Sequence, residues 1–406
     1  MISAFASDPL LIGDLDLTIV VIVIVKTIVV FALLMVAVMF YIWFMRKVIA
    51  DMQNRIGPQR AGPFGILQTL ADGIKLFFKE QSEPATADKP VFRLAPYLAI
   101  LPAFLAFAIV PIGGVVSIAG HRTLLQLADP PIGVLFLLAM SGIGLYGVML
   151  AGWASGSKYP LLGSVRASAQ LLSYEAAMGL AIVAVLIQSG SLSTREIVNG
   201  QAWDGIGSIV SQWNWAQVAF VPFVIFLIAA MAETNHPPFD LVEAEQELVG
   251  GFHTEYTGIR FAIFFLAEFM NLITMCAIAV TLFLGGPSGP SLTGLGIAGD
   301  NWLNTWVMPI VWFMVKVLVL LYATVWVRAS LPRLRYDQLM NFGWKVLIEV
   351  AFVWAMITAV LVIAREDGAG TVDMLITAAA ALVGAAIILG ILYLCIPKRE
   401  EIEEIK

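Results

Sequence analysis

Nine runs of about twenty apolar residues dominate this chain, and each is long enough to cross the hydrocarbon core of a bilayer as a helix. They fall near 19–43, 95–118, 131–154, 170–189, 215–232, 259–284, 306–327, 345–364 and 372–396. Backbone inside a bilayer must satisfy its own hydrogen bonds, which leaves helices or closed barrels. A barrel requires short segments of alternating polarity, and these are absent. The expected fold is an all-α polytopic bundle of nine transmembrane helices. Composition agrees: 60% of residues are hydrophobic and 13% charged, where a soluble domain is nearer half and a quarter.

Lysine and arginine set the orientation. With the N-terminus outside, eight basic residues fall in 44–94, two in 155–169, one in 233–260, four in 328–345 and three in 397–406, all on the inside. Outside there are only Arg122, Arg195 and Arg365, while Lys26 and Lys316 lie within helices. Eighteen against three predicts an outside N-terminus and a cytoplasmic C-terminus. The opening MISAFASDPLLIGDLDL has no basic region and no obvious small-residue cleavage site, so the first helix is expected to be retained. One transmembrane domain is expected over 1–396, with large cytoplasmic loops near 44–94 and 233–258 and a tail at 397–406.

Several function classes are disfavoured. No internal repeat is visible, which argues against inverted-repeat transporters. No arginine-rich stripe interleaved with aromatics points to nucleic acid. Cys276 and Cys395 fall in predicted helices without CxxC-like spacing and read as small buried hydrophobes. With three scattered histidines, neither a metal nor an iron–sulfur site is expected in this chain.

The chemistry concentrates in AETNHPPFDLVEAEQELVGGFHTEY, 232–256. It carries six carboxylates (Glu233, Asp240, Glu243, Glu245, Glu247 and Glu255) and no Lys or Arg. Glu243, Glu245 and Glu247 share a face on a strand, and Glu243 and Glu247 are neighbours on a helix. Either arrangement sets like charges together, which costs a few tenths of a kcal/mol, roughly, per exposed pair and couples their proton binding in a pocket. A solvated acidic loop is the plainer alternative, against which stand the flanking PPFDL and ELVGGF.

Two acids lie inside predicted helices: Glu175, near the start of the fourth, and Glu268, well inside the sixth. Such residues usually face a bundle interior or water, because a charge at the bilayer centre costs roughly 2.5–3.5 kcal/mol. They read as proton carriers or as inert hydrogen-bonded carboxyls. Lys316 either pairs with one of them or reaches for the interface. After the first helix, Arg46, Lys47, Arg55 and Arg60 either anchor the inside face or aim at a partner or an anionic headgroup. The segment 62–80 has apolar residues at mostly helical spacing and suits an interfacial amphipathic helix, as a membrane anchor or as one wall of a lipid-accessible cavity. Asp72, Lys75 and Lys79 face its more polar surroundings.

Four ordered blocks carry a resemblance: MQNRIGPQRAGPFGILQTLADGIKLFFKE, GWASGSKYPLLGSVRASAQLLSYE, AETNHPPFDLVEAEQELVGGFHTEYTGIRFAIFFLAEF and RASLPRLRYDQLMNFGWK. Together they resemble the H-subunit of bacterial NADH-quinone oxidoreductase, the membrane component where the two arms of respiratory complex I meet. The resemblance runs from about 40 to 365. It implies a chain of the bacterial inner membrane, with hydrophilic quinone-module subunits and membrane-arm subunits as partners and lipid around it. It also implies a chamber for a quinone, menaquinone or ubiquinone, with FMN and iron–sulfur clusters held only by partner subunits. In that picture Arg55, Asp72 and Lys75 resemble cavity-wall residues. Glu233, Asp240, Glu243, Glu245 and Glu247 match the acidic loop beneath the quinone, Glu233 also bordering the chamber. Glu175, Glu255 and Glu268 match acids leading into the membrane.

Two departures stand out. The family usually has Glu-Arg-Lys or Glu-Arg-Arg where this chain has Met45-Arg46-Lys47, and Asn-Arg where it has Asn235-His236. His236 restores a positive charge only when protonated, so no specific ion pair is carried over. The homologous component of a membrane-bound hydrogenase shares the acidic loop, but the long GPQRAGPFGILQTLADGIKLFFKE block favours the quinone-linked branch. A stand-alone ion transporter is weighed down by the missing repeats, and a non-catalytic scaffold by Glu175 and Glu268. The mechanism expected places no hydride chemistry in this chain. Quinone reduction instead shifts coupled carboxylates, and protonation passes through Glu233, Glu175 and Glu268.

Overall fold

The computed structural model describes residues 8, 10, 16–203, 205, 212–217, 219–241, 249–290, 302–366 and 384. Each of the first eight expected spans contains a helix. The expected ninth span, 372–396, lies outside the described residues apart from Gly384, as do the tail at 397–406, Cys395 and the acids Glu243, Glu245 and Glu247.

Helix α1 (Leu17–Met52) begins where the Asp16 carboxylate accepts from the Leu17 amide, an N-cap. It is followed by the short α2 (Gln68–Phe78) within the expected amphipathic segment. Asp72 on α2 pairs with Arg46 on α1 at 2.8 Å, and Thr69 donates to the Met39 carbonyl. The polar edge of α2 therefore meets the bundle, while Leu70, Ile74, Phe77 and Phe78 stay exposed.

Helix α3 (Lys89–Phe107) starts earlier and stops sooner than the 95–118 run suggests. Pro111 has no amide to donate, and Gly113–Gly114 cost backbone entropy in a helix. The apolar residues beyond them form a hairpin of two strands, Val115–Ile118 and His121–Leu124. Its two-residue turn, Ala119–Gly120, has φ of 50° and 84°, the positive values that a tight hairpin turn requires.

Helix α4 (Gly133–Ala154) packs against α3 with little side chain between them: a Cβ on Gly147 would come 2.7 Å from the Ala99 nitrogen. Helix α5 (Lys158–Ser189) begins twelve residues before the expected 170. Its first half carries polar residues on a buried face, with Ser164, Gln170 and Ser173 turned to the bundle, while Tyr159, Leu162 and Val165 stay exposed. Glu175 is consequently mid-helix and not near a helix start. After the short α6 (Thr194–Gly200) comes α7 (Phe220–Glu233). Its 14 residues span about 21 Å at 1.5 Å per residue, less than the roughly 30 Å of a hydrocarbon core. α7 thus ends within the bundle, and Glu233 is its last residue.

Helix α8 (Gly258–Phe283) is the central element and the most enclosed of the long helices. Helices α9 (Met308–Ser330), α10 (Tyr336–Phe342) and α11 (Ile348–Glu366) complete the described bundle. Among the described residues, seven helical segments are long and apolar enough to cross a membrane.

The connections gather at two ends. One end joins the loop after α1, the α4–α5 turn, and the segments after α7 and α9. Contacts there include Asp88 N to Ala154 O at 3.0 Å, Ser82 N to Thr257 Oγ1 at 2.8 Å, and Leu334 N to Pro238 O at 3.2 Å. The opposite end is tied by Lys316, which has no ion pair with an acid among the described residues. Its ammonium donates to the carbonyls of Leu284, Gly286 and Ser288 at 2.7, 3.0 and 2.6 Å, and sits 4.1 Å from the Trp213 ring centre. A cation at the carbonyl end of α8 also matches the helix dipole.

Candidate functional site

Three acids from three helices open onto one cavity: Glu175 from α5, Glu233 from the end of α7 and Glu268 from α8. The cavity measures about 70 Å³, room for several waters where one needs roughly 10–15 Å³. Phe252, Phe261, Phe264 and Phe265 wall it, so its carboxylates sit in an apolar surround, with Asn271 and Ser141 as polar neighbours. The Ser141 hydroxyl, on α4, donates to Glu233 Oε1 and borders the same cavity as Glu175.

The residues just after α7 are held in place by contacts to their backbone. Gln170 donates to the carbonyls of Ala232 and Phe239, both at 2.8 Å. That clamp carries His236 into the interior, where its Nδ1 lies 3.0 Å from both Glu268 Oε1 and the Thr234 carbonyl. Burial holds His236 below the usual histidine range, and the Arg328 charge works in the same direction. His236 therefore serves as a neutral donor and does not restore the positive charge usual at this position in the family. At the other departure, Arg328 Nη1 meets the Met45 thioether at 3.4 Å. His253, which also borders the cavity, is pushed by burial down to about 4.

The remaining expected residues divide. Asp240 is 5% exposed and pairs at 2.9 Å with Arg333 from the segment after α9. Glu255 is half-buried in the turn before α8 and outside the cavity lining. Asp72 belongs to the α1–α2 junction, and Lys75 is exposed. Arg55 is exposed too and donates to Gln53 Oε1 at 2.7 Å. None of these last three borders the acid cavity, and the cation paired with Asp240 comes from Arg333. Glu243, Glu245 and Glu247 lie outside the described residues.

Sequence reasoning passed over Ser141, Asn271 and Arg333. A single serine in LLAMSGIGL gives no signal beyond its polarity in an apolar helix. It also passed over the ion pairs of Glu83, whose carboxylate meets Arg93 at 3.0 Å and Arg260 at 2.6 Å. Those two guanidinium groups hold Glu83 down to about 2 and fasten the first loop to α3 and α8. Among the described residues no group of His, Cys, Asp and Glu side chains is arranged to hold a metal ion.

Comparison with known proteins places the chain among relatives. The profile of the family described as NADH dehydrogenase matches residues 25–359. The NADH-quinone oxidoreductase H-subunit of Frankia casuarinae is 52% identical over 356 residues, 88% of this chain and 74% of that protein. The protein of the same name from Frankia alni is 50% identical over 92% of this chain and 78% of its own length. That of Streptomyces avermitilis is 48% identical over 87% and 76%.

Proposed function

The chain belongs to the H-subunit family of NADH-quinone oxidoreductase, and from that premise we propose how its cavity couples quinone chemistry to proton movement. As a member of that family it is a membrane-arm component of a proton-pumping, multi-subunit enzyme of the bacterial inner membrane. The finer reading is that nine helices span the membrane as one domain over 1–396, with the N-terminus outside and α2 at the cytoplasmic interface. The end carrying the loop after α1 and the segments after α7 and α9 then faces the hydrophilic quinone-module subunits, and other membrane-arm subunits and lipid pack around the helices. This chain contributes a wall of the quinone chamber there, through Arg55, Asp72, Lys75 and Glu233. The quinone is a menaquinone or ubiquinone.

Electrons reach the quinone from FMN and iron–sulfur clusters in partner subunits. No described residues of this chain are grouped to ligate a cluster. Reduction of quinone to quinol takes two electrons and two protons. Either the loss of those protons or a transient anionic quinone changes the field on Asp240, Glu243, Glu245, Glu247 and Glu255. Glu233, Glu175 and Glu268 respond as a coupled set and pass protonation into the membrane arm. Moving one charge across 100 mV stores about 2.3 kcal/mol, the size of a pKa change of one to two units, roughly.

The observation that carries this reading is the convergence of Glu175, Glu233 and Glu268 on one cavity walled by aromatic rings. Glu268→Gln in the assembled enzyme tests it. Loss of proton pumping is expected, and unchanged quinone reduction with unchanged pumping would remove Glu268 from the route.

A further inference from the structure

Serines and threonines in apolar helices commonly turn their hydroxyl back onto the carbonyl four residues earlier. Ser155, Ser168, Thr274 and Thr281 all do so here, bonding Ala151, Ser164, Met270 and Ala277 at 2.7–2.8 Å. Ser141 does not. Its hydroxyl points away from α4 and donates to Glu233 Oε1 on α7, and Ser141 lines the same cavity as Glu175 on α5. The space around it is kept open by glycine. A Cβ on Gly142 would come 3.6 Å from Glu175 Oε1, and one on Gly144 would meet nothing within 4 Å. The acid cavity and a second void of about 10 Å³ both border Ser141 and Glu233. The other Glu233 oxygen is buried with no hydrogen-bond partner among the described residues.

A hydroxyl has one proton to give and lone pairs to receive another. We propose that Ser141 is the proton-transfer bridge between Glu175 and Glu233. The step balances within the three side chains. The Glu175 carboxylic acid gives its proton to the Ser141 oxygen as the Ser141 proton passes to the Glu233 carboxylate. The products are the Glu175 carboxylate, an unchanged serine and the Glu233 carboxylic acid. The reverse transfer uses the same three groups. This rests on Glu175 and Glu233 being coupling acids, and it adds the group that joins them.

The test uses the whole enzyme, purified and reconstituted into liposomes, with quinone reduction and proton pumping followed together. Ser141→Ala removes the hydroxyl. Ser141→Cys nearly keeps the volume but replaces the hydroxyl with a weak hydrogen-bonding thiol, and it decides the matter if the alanine variant does not assemble. Ser141→Thr keeps the hydroxyl. The expected result is a loss of pumping rate of about tenfold or more in Ser141→Ala and Ser141→Cys, the scale of a lost proton-transfer group, with Ser141→Thr restoring the wild-type rate. Wild-type pumping in the alanine or cysteine variant overturns the bridge, as does failure of threonine to rescue. Glu175→Gln and Glu233→Gln separate the layers. If they stop pumping while Ser141→Ala does not, the bridge falls and the coupling acids stand. If they pump normally, the reading of the acids falls with it.

Discussion

Nδ1 of His236 lies 3.0 Å from Oε1 of Glu268, with the imidazole only 1% exposed. The same nitrogen faces the Thr234 carbonyl at 3.0 Å, so one ring proton is shared between a carbonyl and a carboxyl group. The second ring nitrogen, Nε2, is buried without a hydrogen-bond partner among the described residues. Protonating it places a charge where burial and Arg328 both oppose it.

The pH dependence follows from that sign. A histidine whose folded pKa lies below its ordinary 6.5 contributes stability that is present above that value and is lost as pH falls towards the depressed one. His236→Asn keeps an amide donor near the Nδ1 position but cannot titrate. Between pH ~8 and ~5.5 the thermal midpoint of the wild-type enzyme is expected to fall more steeply than that of the variant. Parallel curves would show that His236 titrates normally.

Glu83 should respond to acid at a lower pH. Its pairs with Arg93 and Arg260 are worth most above its ordinary 4.5 and are lost as pH falls towards about 2. Glu83→Gln is expected to loosen the first loop from α3 and α8 without altering membrane insertion. Limited proteolysis within 79–88 should be faster in this variant. Raising salt should speed cleavage of the wild type, because exposed pairs are screened. Equal cleavage rates would contradict the fastening role.

Lys316 separates structure from transport. Its three bonds to carbonyls cap the far end of α8, and leaving those groups without their charged donor should cost about 2 kcal/mol. Lys316→Met is therefore expected to lower the thermal midpoint and the yield of assembled enzyme while protons pumped per electron stay unchanged. A changed stoichiometry would put Lys316 on the proton route.

Gly163 tests the cavity wall. A Cβ there would stand 2.8 Å from the Gly251 Cα and 3.0 Å from the Phe252 nitrogen. Gly163→Ala must push back the turn that carries Phe252 and His253, at a cost of roughly 1–3 kcal/mol. Slower quinone-linked turnover is expected along with reduced stability, whereas Gly179→Ala, with nothing within 4 Å, should do neither.

Hydropathy is local, which is why the helices were legible in the sequence and their polar halves were not. The start of α5 escaped because 158–169, with Lys158, Ser164 and Arg166, reads as part of an inside loop. Gln170 is buried only because Ala232 and Phe239, more than sixty positions away, offer it carbonyls. The first strand of the hairpin, Val115–Ile118, was hidden at the end of an apolar run, although Pro111 and Gly113–Gly114 mark the break. The acids of the site were legible by residue type, since a carboxyl in an apolar helix needs a reason. Their convergence was not, because it depends on α7 stopping at Glu233 and on α4 turning Ser141 inward. The partner of Asp240 was not legible either, because Arg333 reaches it from ninety-three positions away along the chain.

The central claim is that the acids on this cavity carry the coupling between redox chemistry and proton movement. The most direct measurement is protons pumped per electron in liposomes containing the intact enzyme with Glu233→Gln, alongside its quinone reduction rate. The account predicts that pumping collapses to background, with quinone reduction slowed or uncoupled. A wild-type ratio of protons to electrons at a wild-type rate would contradict it.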